Sequence, residues 1–129
     1  EKVNVNIIKD KEVIDLFAET VFIDIDKEYL SSQNLKLNHN EITFLGREVT
    51  LSSNLISLSG APISFKKKDA FEGFSNEIKI DLNKKLLYLS GTSNILIDGK
   101  NISGEDIIFD YKNNSILNSE NLRIRSGNS

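Results

Sequence analysis

An acidic residue leads an apolar segment every 29 residues along this chain: Glu19, Glu48, Glu77 and Asp106. Phe22, Leu51, Ile80 and Phe109 stand three places after each acid, and Thr20, Val49, Ile78 and Ile107 one place after. A fixed period of this size implies units that cannot bury their own apolar face. Neighbouring units must then stack into one continuous core. The sequence predicts a stack of similar β units, with function spread along the stack rather than held in one catalytic pocket.

The units read as strands for a compositional reason. Isoleucine, stiff at χ1 and suited to a pleated surface, occurs 17 times; alanine occurs three times. In 77–82, Ile78, Ile80 and Leu82 share one face while Lys79 and Asp81 share the other. Asn83-Lys84-Lys85 predicts a turn, and so does Asn113-Asn114. Asp98-Gly99 is the strongest hairpin signal, because a type I′ turn needs positive φ at its central residues. In the first half, 21–26, 49–51 and 55–60 read as strands; 9–18, the best helical candidate, reads equally well as a turn followed by a strand. Leu35 and Leu37 lie before a turn at Asn38-His39-Asn40, with Ile42 and Phe44 after it. Residues 66–73 predict a loop, and 118–125 a last strand pair. The total is about 14–16 short strands. One wet and one apolar face predicts antiparallel pairing. The expected fold is all-β, a rolled or sandwiched sheet around one long apolar interior.

Composition excludes several functions. The net charge is −3, against the basic face that a nucleic-acid partner would want. No apolar run is long enough to span a membrane as a helix. There is no cysteine and a single histidine, His39, so thiolate chemistry and zinc have almost no ligands. No cofactor is expected. His39, in its asparagine-rich turn, is expected to be exposed. The acidic column is compatible with a calcium ladder or a catalytic carboxylate pair, but water-facing strand starts explain it more simply. Lys66-Lys67-Lys68 predicts a solvated loop, or a point-charge contact with lipid phosphates. No linker divides the chain, so 1–129 reads as one domain. The pattern opens directly at Val3 with no visible signal peptide, as in a processed or trimmed form.

From Gly60 onward the chain resembles the OstA-like family of lipopolysaccharide-transport proteins, which includes LptA. The resemblance is carried by Gly60-x-Pro62-x-x-Phe65, a polar loop, and Glu72-Gly73. It continues through Ile80-Asp81, Leu89-x-Gly91, Ile102-x-Gly104-Glu105-Asp106 and Asp110-Tyr111. The first half matches through the repeat alone, and Ser32-Gln33 stands where the family pattern has glycine. The resemblance implies a β-jellyroll of antiparallel strands, open along one side, in the periplasm. Such a domain holds lipopolysaccharide acyl chains inside and stacks end to end through its edge strands, with LptC- and LptD-like partners. LptC and the N-terminal domain of LptD share this fold; the absence of an anchor segment leans towards the bridge protein, LptA.

A lipid carrier needs a long apolar lumen and a wet exterior, and each buried CH₂ is worth roughly 0.8 kcal/mol. The inward, lipid-binding candidates are Phe22, Phe44, Leu51, Leu58, Ile63, Phe65, Phe74 and Ile78. Ile80, Leu87, Leu89, Ile95, Ile97, Ile107 and Phe109 complete them. The expected function is passage of lipid along a stack of such domains, from the inner to the outer membrane, without catalysis. The alternative is a structural β-repeat with a filled core and no ligand. A carbohydrate-active β-solenoid would need acids converging in one cleft, whereas these are evenly spread.

Overall fold

The computed structural model describes all residues except 1–2, 10–11, 19–21, 25, 27–28, 53–54 and 127–129. For 3, 5, 7, 9, 22–23, 29–33, 52, 61, 119–122 and 125–126 it describes the backbone but not the side chain. The strands are β1 (Val3–Lys9), β2 (Glu12–Ala18), β3 (Phe22–Asp24), β4 (Tyr29–His39) and β5 (Ile42–Ser52). They continue as β6 (Leu55–Lys67), β7 (Phe71–Asp81), β8 (Leu86–Ile97), β9 (Lys100–Asp110) and β10 (Ser115–Ser126). All belong to one antiparallel sheet in chain order, with β1 and β10 at its edges and β3 beside β4.

The period of the sequence is a pair of long strands. β5, β7 and β9 begin at Ile42, Phe71 and Lys100, 29 residues apart. β2 and β3 pair with opposite ends of β4 in one register, Ala18 with Leu35 and Phe22 with Ser31. Glu19 lies outside the described residues. The short segments read from the sequence are thus joined in pairs: 42–44 and 49–51 are the two halves of β5. The acids are not strand starts. Glu48, Glu77 and Asp106 stand in mid-strand, exposed, beside a break in the pairing register.

Those breaks bend the sheet. Registers shift between Leu45 and Glu48, Ser59 and Ile63, and Phe74 and Glu77. A bulge adds one residue to a strand, bends it, and moves the following side chains to the opposite parity. β7 buries Phe71 and Ser75 before the break but Ile78 and Ile80 after it. β9 buries Ile102 before and Ile107 and Phe109 after, turning at Asp106 with φ 52°. β8 keeps its parity and bends at Gly91, φ 79°.

Small residues let the bend close. A Cβ on Gly60 would lie 2.8 Å from the Arg47 nitrogen and 3.0 Å from the Gly46 Cα, so two backbones touch here. The bend also removes ladder partners, and two buried hydroxyls replace some of them. Ser93 Oγ lies 2.9 Å from Ser75 Oγ, which lies 3.0 Å from the Ser90 carbonyl. With Ser93 donating to Ser75 and Ser75 to the carbonyl, both hydroxyls are satisfied. No buried side-chain polar atom among the described residues lacks a partner.

Hairpins differ from expectation at two places. Residues 66–73 are not a loop: β6 runs to Lys67, a three-residue turn follows, and Phe71 opens β7. The lysine run hid a tight hairpin, because solvated strand ends carry charge as readily as loops do. The first-half turn is Asn40-Glu41, φ 54° and 65°, one residue later than expected. Asp98-Gly99 turns as expected, at φ 51° and 72°. Asp81 and Asp110 cap equivalent turns one period apart, each accepting two backbone N–H groups at 2.9–3.1 Å.

Gly60→Ala should cost about 1–3 kcal/mol, since the added methyl meets backbone rather than a movable side chain. Thr92→Ala, exposed at the same bend, should stay within about 0.5 kcal/mol. Urea unfolding of the two variants checks this.

Candidate functional site

Bending brings the two halves of each long strand face to face, and their inward side chains form one apolar interior. Of the expected inward residues, Phe44, Leu58, Ile63, Phe65, Ile78 and Ile80 are buried. So are Leu87, Leu89, Ile95, Ile107 and Phe109. Leu51 and Ile97 are half-buried and pack against this cluster. The side chain of Phe22 lies outside the described residues. Phe74 is a correction: it is 43% exposed and faces outward. Extending the phase of Ile78 and Ile80 backwards fails because the bulge lies between Phe74 and Glu77.

Aromatic rings run through the interior and cross it. Phe44 and Phe65 pair on adjacent strands with centroids 6.3 Å apart, and Phe65 is 6.1 Å from Phe71. Phe71, in the first half of β7, then meets Phe109, in the second half of β9, edge to face at 4.8 Å. That geometry suits the ring quadrupoles, and it joins the two layers.

Polar contacts close part of the rim. His39, at the end of β4, is 2% exposed rather than solvated. Its Nδ1–H donates to the Val13 carbonyl at 3.4 Å, and its Nε2 accepts from the Tyr111 hydroxyl at 3.2 Å. Tyr111 follows β9, 72 residues away in sequence, so this pair ties opposite layers together. Glu12 at the start of β2 and Lys85 in the β7–β8 turn form an ion pair across the same rim. Burial pushes His39 below its ordinary 6.5, only partly opposed by the Val13 carbonyl. Burial, with the charge of Asp81 adding to it, pushes Tyr111 up to about 12.

Further along, the rim gapes. A slot of about 320 Å³ opens between the β8–β9 turn and the start of β10. Ile97, Ile102, Phe109, Ile116 and Ile124 line it, with Asp98, Lys100 and Asn114 at its lip. Phe109 also belongs to the interior cluster, so the slot borders that cluster. Ile102, Ile116 and Ile124 were not among the expected residues. The period itself points to them: Ile102 is 29 after Gly73, Ile116 is 29 after Leu87, and Ile124 is 29 after Ile95. Among the described residues, no three histidine, aspartate or glutamate side chains converge on a metal-sized site.

No protein-family model matches the sequence, and no curated protein matches it. The fold does have solved counterparts. It matches the crystal structure of LptH from Pseudomonas aeruginosa with a TM-score of 0.74, over 87% of this chain and 93% of that one. LptH is described as the LptA-homologous periplasmic component of the conserved lipopolysaccharide transport device. Sequence identity is 14%, so the likeness is one of fold: the chain has the LptA-like all-β architecture expected from its residues.

The single histidine gives the rim a pH dependence of definite sign. The unfolded chain takes up the His39 proton first as pH falls below 6.5, because the folded site holds it lower. Stability should therefore fall with pH just below 6.5, and His39→Gln should remove that fall. Chemical denaturation at a series of pH values measures both.

Proposed function

We propose that this chain is a lipopolysaccharide-transport module of the periplasm, holding lipid acyl chains between its two sheet layers and passing them on. The observation that carries the reading is the apolar slot at the rim, bordering an apolar interior that runs across the long strands. The architectural likeness to LptH supports it. Acyl chains enter beside Ile97 and Ile116 and replace side-chain contacts inside, while the headgroup stays at the lip near Lys100. The module performs no catalysis; it supplies a surface along which lipid moves. Copies stack through the edge strands β1 and β10, and LptC- and LptD-like proteins take the terminal positions. Strand addition at such edges supplies main-chain hydrogen bonds without a dedicated pocket.

One observation favours a second reading. Most interior side chains, Ile78, Ile80, Leu87 and Ile95 among them, are fully buried against one another. A structural β-repeat with a permanently filled core has this packing too.

Photo-crosslinking to lipopolysaccharide separates the two. Probes at Ile80 and Ile116, facing the interior and the slot, should capture lipid. Probes at Lys79 and Leu117, exposed on the other face, should not. Ile116→Lys, at the half-buried mouth where a charge leaves the core intact, should lower capture at Ile80 by tenfold or more. No capture from Ile80 or Ile116 in folded protein establishes the filled-core reading.

A further inference from the structure

The outer surface of the sheet carries a second concavity, of about 650 Å³. It exists because of the same bulge that turned Phe74 outward. Leu45, Ser64 and Phe74 are direct partners across β5, β6 and β7. Leu45 is 50% and Phe74 43% exposed. The two apolar side chains are two strands apart, about 9.5 Å, and the small Ser64 lies between them. The result is a trough with an aliphatic wall, an aromatic wall and a hydroxyl on its floor.

Its polar lining is ordered. Asn94 pairs with Phe74 from β8, and its Nδ2 donates to Asn101 Oδ1 at 2.5 Å and to Ser103 Oγ at 3.0 Å. Lys66 and Glu72 face each other at 4.0 Å across β6 and β7. The charged residues at the trough are Glu41, Glu72, Lys66 and Lys68, two of each sign.

We infer that this trough binds a neutral saccharide. An acyl chain would cover the Lys66–Glu72 pair and the amides without offering them a hydrogen bond, and a polyanion would find no net positive field. A peptide could not add as a strand, since β5 to β9 are all internal and their main-chain groups are paired. A sugar ring fits what remains. Its polarised C–H face meets the negative face of Phe74, and its hydroxyls reach Ser64, Asn94 and Asn101. Apolar walls with a few placed polar groups are the ordinary build of a small-ligand site. The sugar can be free or the headgroup of a glycolipid, and the chemistry at the trough is the same. The inference is independent of lipid in the interior.

The test is carbon–proton NMR of the intact protein, observing Leu45 methyls and the Phe74 ring, with maltotriose, chitotriose and dodecyl maltoside as probes. Saturable shifts at Leu45 and Phe74 with a free trisaccharide are expected. Phe74→Ala should weaken them at least tenfold without changing the thermal midpoint, because the ring is exposed. Shifts with dodecyl maltoside alone would also support the site and identify lipid-linked sugar as its source. Shifts at Ile116 read out the slot separately, so tail binding cannot be mistaken for sugar binding. Absence of shifts at Leu45 and Phe74 with all three probes overturns the inference, as does an unchanged affinity in Phe74→Ala.

Discussion

The mid-strand bend is the constraint on which this molecule depends. A sheet with one apolar face must find something to cover it. Many β proteins use a second sheet. Here the covering layer is the other half of the same strands. That solution requires every long strand to bend at the same height, or the ladder would tear. The chain meets the requirement with a register break between each neighbouring pair from β5 to β9 and a left-handed glycine in β8. Gly46 and Gly60 permit backbone contact along the line, and Ser75 and Ser93 supply hydrogen bonds where the ladder is interrupted.

The repeat in the sequence is a repeat of this bend. A strand pair returns the chain to its starting height after 29 residues, so bend-associated residues recur at that interval. Glu48, Glu77 and Asp106 sit beside it, outside the roll, where a charge remains in water. Asp106 has a direct part: its carboxylate accepts the Gly91 N–H at 3.2 Å, tying the bends of β8 and β9 together. The described acids of the column are thus not strand starts; they follow the crease of the roll.

This explains how much could be read in advance. Fold class and most inward residues were legible, because alternation and period are local and Ile78, Ile80, Leu87 and Leu89 lie on one side of the crease. Phase across the crease was not. A register break reverses parity, and nothing in the composition of 74–77 announces it, so alternation carried back from Ile78 puts Phe74 on the wrong face. The burial of His39 is hidden for a different reason. Its neighbours are polar, but its partner Tyr111 lies 72 residues away, and contact between them exists only once the sheet has rolled. The slot residues occupy an intermediate place: the 29-residue step from core Leu87 and Ile95 to Ile116 and Ile124 is visible in the sequence, while exposure at the rim depends on the tertiary fold.

The filled interior and the proposed lipid cargo are compatible on energetic grounds. Among the described residues, the ladders run between neighbours of one sheet, in chain order but for β3, which lies beside β4. Moving the two layers apart therefore breaks no ladder; it separates side chains and, at one stretch of rim, the His39–Tyr111 and Glu12–Lys85 pairs. An entering acyl chain replaces the apolar contacts that separation removes, and each of its methylenes leaves water with a gain of roughly 0.8 kcal/mol. The exchange is nearly balanced for the protein and favourable for the lipid. A close-packed apolar core is compatible with such a carrier, since a permanently open lumen lined by isoleucine and phenylalanine would face water along its length.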